Sequence, residues 1–235
     1  MIAYKFLAAG RLATFSGVSW PEPGTWLEAK GGLERCFSGV HALRAQGLLG
    51  WIDDELWTCE LSGEIEDDGD TLVAERGQLL ERIQEWNEVS AYDLTRDCAT
   101  RGRRRVLEAL GGGGHEEAAG ELDGLDARRF AATAPGVAAR LPTEAAGLVM
   151  MAADTTALAE RLRIAEREPY LRSHLEAVAA SRPTYGAIAA NVAFVISRSI
   201  AGLHRDGYET GFATERAWQL DRLLEQLGLG AAASH

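Results

Sequence analysis

The chain has 235 residues, of which 46% are hydrophobic and 25% are charged, and its formal net charge is −11. This composition supplies enough apolar surface for one large or two small domains, which excludes disorder as the main state. The acidic balance argues against a general affinity for nucleic acid or for an anionic membrane. We therefore expect neither of these partners.

Charge and tryptophan are distributed unevenly along the chain. Residues 1–92 carry 7 basic and 16 acidic residues, a balance of −9, together with five of the six tryptophans. Alanine dominates the remainder. This asymmetry predicts an α+β protein in which a small, acidic and mostly antiparallel β domain over 1–90 is followed by an all-helical domain over 91–230, with a frayed tail over 231–235.

The start of the chain has the pattern of short strands separated by turns. Ile2–Leu7 alternates, and Thr25–Ala29 is expected to form a second extended piece after a turn at Pro21–Gly24. The first residues lack the charged region, the apolar stretch and the cleavage site of a secretory signal. We therefore expect a cytoplasmic protein.

The clearest strand in the sequence is Leu56–Ile65. An acidic turn at Glu66–Asp70 follows it, and Thr71–Ala74 is expected to be its hairpin partner. Gly77 is expected to mark a bulge, and Leu79–Trp86 to continue as a strand, with a helix as the alternative. Strict alternation places Trp57, Cys59, Leu61 and Ile65 on one face and Thr58, Glu60, Ser62 and Glu64 on the other.

The hydrophobic period changes near Ser90, which marks the expected domain boundary. Ser90–Asp93 resembles a capping box, and the helix that follows is expected to end at Leu110. Gly111–Gly114 then serves as an internal linker. Between His115 and Leu141 the sequence predicts short helical pieces, broken at Gly120, Gly124 and Pro135-Gly136.

Longer helices are predicted in the last part of the chain. They cover Thr143–Glu168, Pro183–Arg205 and Thr210–Leu227, with Pro169 suited to the first turn of another helix. The second of these has apolar residues on most of its surface, which is typical of a central buried helix. Polar residues interrupt its apolar stretch, so we expect no membrane-spanning segment.

Three widely spaced cysteines, Cys36, Cys59 and Cys98, show no zinc or redox motif. We expect reduced, buried thiols, with no metal and no cofactor. A zinc site formed by Cys36, His41 and Cys59 is an open alternative, because thiolate and imidazole ligands together favour that metal.

One stretch concentrates aromatic and reactive side chains. It reads Cys-x-x-Gly-Val-His-Ala and, after a spacer, Asp-Glu-Leu-Trp-x-x-Glu-Leu-x-Gly, and it resembles an uncharacterised protein family of actinobacteria. The resemblance covers about residues 3–86 and departs from the family at Leu43, where no second cysteine follows Ala42. It implies a two-part architecture and supplies no activity. The resemblance rests on Cys36, Gly39, Val40, His41, Ala42, Trp51, Glu55, Leu56, Trp57, Glu60, Leu61 and Gly63.

This stretch supports two classes of function. In the first, a surface with His41, Glu60, Trp51, Trp57 and Cys36 binds a small molecule or a protein partner. In the second, an enzyme uses His41 with Glu60 or Glu55 as an acid and base on a small substrate. An analogy to ADP-ribosyl transfer belongs to the second class. In it His41 would bind the nicotinamide nucleotide, Trp57 would stack on it and Glu60 would be the catalytic carboxylate. Purely structural roles for the same residues are the competing interpretation.

The basic run Arg101–Arg105 is the most concentrated positive charge in the chain. We expect it to dock on the acidic N-terminal domain, with a phosphate-bearing partner as the alternative. A homo-oligomer formed through the helices is compatible with the sequence.

Overall fold

The computed structural model divides into two compact units, Met1–Ser90 with Leu220–His235 and Ala91–Gln219. The structure describes residues 1–14, 16–33, 38–167, 184–203 and 207–229, with residues 162–167 described by their backbone. Strands come first and helices follow, which confirms the α+β class. The domain limits drawn from the sequence stay a prediction.

The first unit contains a small antiparallel barrel. Its strands are β1 Ile2–Leu7, β2 Leu27–Glu28, β3 Val40–Leu43, β4 Glu55–Asp67 and β5 Thr71–Arg82. Their order is β2-β5-β3-β1-β4, and β4 also pairs with β5, so that β5, β3, β1 and β4 form a closed ring. A 3₁₀ helix at Ala45–Trp51 lies between β3 and β4 in the chain.

Strand alternation fills the barrel with apolar side chains, as predicted for β4. One buried cluster, which we call the barrel interior, joins all four strands of the ring with Trp20 from the loop after β1. Its members on the ring are Ala3, Leu7, Val40, Ala42, Trp57, Cys59, Leu61, Leu72, Ala74 and Leu79.

The bulge expected at Gly77 lies elsewhere. Gly77 pairs in register with Leu61, and a Cβ atom at this position would lie 2.8 Å from Cγ1 of Val40. Glycine is therefore required there by the close approach of interior side chains. The register shifts between Ser62 and Ile65, where Gly63 has a φ of +85°.

The first helix, α1 Glu88–Gly112, begins earlier than predicted. Its cap is Asn87, whose Oδ1 accepts hydrogen bonds from the amides of Val89 at 2.9 Å and Ser90 at 3.2 Å. Ser90 Oγ in turn accepts from the Asn87 amide at 2.9 Å. The capping box was predicted to start at Ser90 but starts three residues earlier, at Asn87. Ser90 is its last residue, whose side chain bonds back to the backbone amide of the N-cap.

The glycine run ends α1 and is not wholly a linker. Gly111 and Gly112 belong to its last turn. Gly114 has a φ of +81°, and the amide of His115 donates to the carbonyl oxygen of Leu110 at 2.9 Å. This is a Schellman end, in which the left-handed conformation favours glycine.

Two predicted helix breaks are wrong. Helix α2, Glu116–Leu122, runs through Gly120, and helix α3, Ala127–Ala138, runs through Pro135 and Gly136. Asp126 caps α3 by accepting from the Arg129 amide at 2.8 Å. Burial of the α3 residues Phe130, Ala134 and Val137 offsets the hydrogen bond that Pro135 cannot donate.

In the described part of the chain the remaining helices are α4 Thr143–Arg167, α5 Tyr185–Gly202 and α6 Tyr208–Gln226, which confirms the three long helices. The predicted helix start at Pro169 lies outside the described residues. By length and composition α5 could cross a membrane, but half of its apolar window is buried inside the protein. A core helix passes the same test, so α5 is weak support for a membrane span.

A buried polar cluster lies among the helices. Glu215 on α6 is 1% exposed, and its Oε2 accepts from Nε of Arg101 on α1 at 2.6 Å. The Arg101 guanidinium also lies 4.4 Å from the ring centre of Trp218. Gln219 is fully buried beside them, and its Oε1 accepts from Ser197 Oγ at 3.0 Å.

The basic run has partners within the helical unit, and its expected docking on the acidic N-terminal domain stays a prediction. Arg104 and Arg105 both pair with Glu108 of their own helix. Arg103 donates to the carbonyl oxygen of Leu125 at 3.4 Å. Helical spacing distributes the five positions of the run around α1, so that its charges meet different neighbours.

Candidate functional site

Lys5 lies on the interior face of the barrel. It stands between Ala3 and Leu7 on β1, and both of these belong to the interior cluster. Its cross-strand partner is Trp57, and Ala3 pairs with Cys59 in the same way. Because residues directly opposite in an antiparallel pair share a face, Lys5 projects beside Trp57 into the apolar interior.

The surroundings of the Lys5 amine are mostly apolar. Its Nζ lies 5.9 Å from the ring centre of Trp20, which is buried. Burial lowers the pKa of Lys5 to about 8, an effect that the neighbouring Cys59 thiol opposes. The residue as a whole is half-buried. The amine therefore lies in surroundings that disfavour its charged form.

No carboxylate of the described residues forms an ion pair with Lys5. Glu55 lies on the same face of β4 as Trp57, but it has other partners. Its oxygens accept from the Trp57 indole and from the Gly10 amide, each at 3.0 Å, and the Arg82 guanidinium lies 3.9 Å away. Glu55 thus fastens the loop after β1 to the barrel.

His41, the first candidate from the sequence, lies on the other face of β3. Its neighbours Val40 and Ala42 both point into the interior, so the imidazole points outward. Its Nδ1 lies 3.2 Å from the carbonyl oxygen of Gly39 and must carry the hydrogen, since a carbonyl only accepts. Burial and then the Lys5 charge lower the pKa of His41, and the bond to Gly39 opposes them.

Glu60, the second candidate, also points outward. It stands between Cys59 and Leu61, and its Oε2 accepts from Gln78 Nε2 at 2.7 Å. Among the described strands β3 and β4 do not pair with each other. Because β3 and β4 are not neighbours in the closed ring, their outward side chains point in different directions. This arrangement gives no support to an acid and base pair of His41 and Glu60.

The other candidates are dispersed. Trp57 is 9% exposed with its indole bonded to Glu55, so its ring is not free for stacking on a ligand in the ADP-ribosyl transfer analogy. Trp51 is 44% exposed on the 3₁₀ helix. Cys36 lies outside the described residues. Burial raises the pKa of the Cys59 thiol to about 12, which keeps it protonated.

The described residues contain no group of three or more His, Cys, Asp or Glu side chains that could hold a metal ion. Two open cavities lie away from the candidates. One, of about 360 Å³, is lined by Glu28, Glu75 and Arg76, and the other, of about 450 Å³, by His115, Glu121 and Arg140. Neither of these two cavities is lined by a residue of the barrel interior.

No family model, curated protein or solved structure matches this chain. The function of the site therefore has to be inferred from its own geometry. Lys5 is the residue that sequence reasoning missed. The alternation of Ile2–Leu7 places Lys5 on one face with Ala3 and Leu7, but apolar residues lie on both faces, so the sequence alone does not show that this face is interior.

Proposed function

We propose that the N-terminal unit is a small-molecule-binding module that recognises a small organic anion through the Lys5 ammonium. The observation that carries this proposal is the position of Lys5, a cation on an apolar interior face with no ion-pair partner among the described residues. An uncompensated charge in such surroundings is costly to keep, and a bound carboxylate or phosphate would offset that cost.

The electrostatics of the neighbours support an anion. The Lys5 charge lowers the pKa of His41, so the two groups repel each other when both are protonated. An anion at Lys5 would screen this repulsion. Because apolar side chains fill the barrel interior and the Lys5 side chain is half-buried, the ligand would have only a few atoms near the charge, with Trp20 as an apolar wall.

A thermal shift experiment tests the proposal. At pH 7 and constant ionic strength, acetate or inorganic phosphate should raise the Tm of the wild-type protein and leave the Lys5→Met variant unchanged. The matched control is Lys30→Met, because Lys30 is exposed and is the second of only two lysines. This variant should respond like the wild type. An equal response in Lys5→Met, or none in the wild type, would overturn the proposal.

The pH dependence has a definite sign. The ammonium form binds the anion, so the Tm increase should diminish as the pH rises through about 8, where Lys5 loses its proton. A cytoplasmic location belongs to the same proposal and agrees with the free, buried thiols of Cys59 and Cys98.

A further inference from the structure

The Lys5 amine has the properties of a nucleophile as well as those of a charge. An amine attacks a carbonyl carbon only in its neutral form, and an exposed lysine is almost entirely protonated at neutral pH. With a pKa of about 8, roughly a tenth of the Lys5 amine is neutral at pH 7. The neutral fraction of a lysine with the ordinary pKa of 10.5 is about 300-fold smaller.

We propose that Lys5 captures the carbonyl group of a small oxo acid as an imine, an inference that rests on the anion binding proposed above. The geometry behind it is the cluster of Lys5, Trp20, Trp57 and Cys59 on one face of the barrel. The apolar rings limit water around the amine, which opposes hydrolysis of the product.

The step balances without any further reactant. The nitrogen of Lys5 adds to the carbonyl carbon, a carbinolamine forms, and its hydroxyl group leaves with a proton as one molecule of water. When the imine is protonated, the nitrogen keeps a positive charge. The carboxylate of the oxo acid therefore lies next to a cation once the imine is protonated.

Neighbouring groups do not compete with Lys5 for the carbonyl. Cys59 is fully buried and its thiol is protonated. His41 points to the opposite face of its strand. The amino group of Met1 donates to the carbonyl oxygen of Leu61 at 2.8 Å and serves as an internal comparison in the labelling experiment.

Reductive trapping on the full-length wild-type protein tests the inference. Glyoxylate supplies an aldehyde beside a carboxylate, and cyanoborohydride reduces the imine by adding hydride to its carbon while the nitrogen takes a proton from water. Peptide mass mapping then locates the adduct. We expect at least about tenfold more adduct on Lys5 than on Lys30 at pH 7. Equal or lower labelling of Lys5 would overturn the inference.

Two comparison ligands separate this inference from the proposed function. Acetaldehyde, which has no carboxylate, should label Lys5 less than glyoxylate does, and acetate should protect Lys5 from glyoxylate. A Tm increase with acetate but no adduct on Lys5 would leave anion binding in place and remove imine formation. An adduct on Lys5 without any acetate effect would overturn the anion site and the capture of an oxo acid that rests on it, because the carbonyl would then be captured without any contribution from a carboxylate. Neither result requires a variant to fold.

Discussion

Each unit of the protein holds a cation away from water, and the two cations are treated differently. In the helical unit Arg101 contacts Glu215 at 2.6 Å, and the pair is surrounded by Trp218 and the buried amide of Gln219. In the barrel Lys5 lies over Trp20 without an ion pair among the described residues. One charge is thus paired with a carboxylate, while the other has only a weaker contact with an aromatic ring.

This difference in pairing indicates which of the two charges stabilises the folded structure. A paired buried charge fixes the arrangement of the helices that carry it, because removing one partner leaves the other uncompensated. An unpaired charge contributes nothing of this kind and lowers stability where it stands. Lys5 is therefore the residue that calls for a functional explanation. The role of Arg101 is structural.

The largest expected effect is at the compensated pair. Arg101→Met should lower the free energy of unfolding by about 3–5 kcal/mol at pH 7, because it leaves the buried Glu215 carboxylate without its partner. Chemical denaturation measures the change. Arg104→Met is the matched surface control, since Arg104 is 62% exposed, and we expect less than about 0.5 kcal/mol there.

A double variant completes this test. Replacing both Arg101 and Glu215 with methionine should recover most of the lost stability, because no buried charge remains. If Arg101→Met alone were as stable as the wild type, the pair would contribute nothing to the fold, and the contrast with Lys5 would fail.

A smaller effect of opposite sign is expected in the barrel. Lys5→Met should raise the free energy of unfolding at pH 7 on the order of 1 kcal/mol, because methionine fills similar space without a charge. Lys30→Met should change it little. A clear loss of stability in Lys5→Met would show that the ammonium is compensated in the folded state, contrary to the anion proposal.

The same contrast predicts a pH dependence. The folded pKa of Lys5 is about 8 and its ordinary value is 10.5, so within this window the unfolded chain retains a proton that the folded chain has released. Because the unfolded state binds more protons there, this group makes stability rise with pH between these values. The advantage of Lys5→Met over the wild type should shrink between pH 8 and 10, as followed by denaturant unfolding at each pH.

The smallest effect concerns His41. Because the Lys5 charge lowers the pKa of His41, the Lys5→Met substitution should raise that pKa, while Lys30→Met should leave it where it is. NMR titration of the imidazole signals measures both. An unchanged His41 pKa in Lys5→Met would mean that solvent screens the Lys5 charge.

Much of the architecture was predictable because it depends on local periodicity. The alternation around Trp57 and the apolar spacing in α5 are visible in one dimension, and both elements form where they were expected. The helix break expected at Pro135 was wrong, because burial of Phe130 and its neighbours in α3 outweighs one missing hydrogen bond. The N-cap at Asn87 was missed because Ser90, followed by Asp93 three residues later, resembles a capping box as well.

The candidate site was harder to predict. His41 and Glu60 attract attention because their side chains are chemically versatile, but their chemistry depends on which strand faces which. Lys5 stands in a segment whose apolar residues fall on both faces, so periodicity alone does not say which face is interior. Only the pairing of Lys5 with Trp57 settles this point.

By itself the sequence determined the α+β class, most of the strands and the long helices. Hydrophobic periodicity and the ends of elements at glycine or proline depend on only a few neighbouring residues. The tertiary structure alone decided which charges are compensated. Glu215 is 114 residues from Arg101, and Trp57 reaches Lys5 only across a strand pair. The free energy of a buried charge depends on such distant neighbours, and no local pattern encodes them.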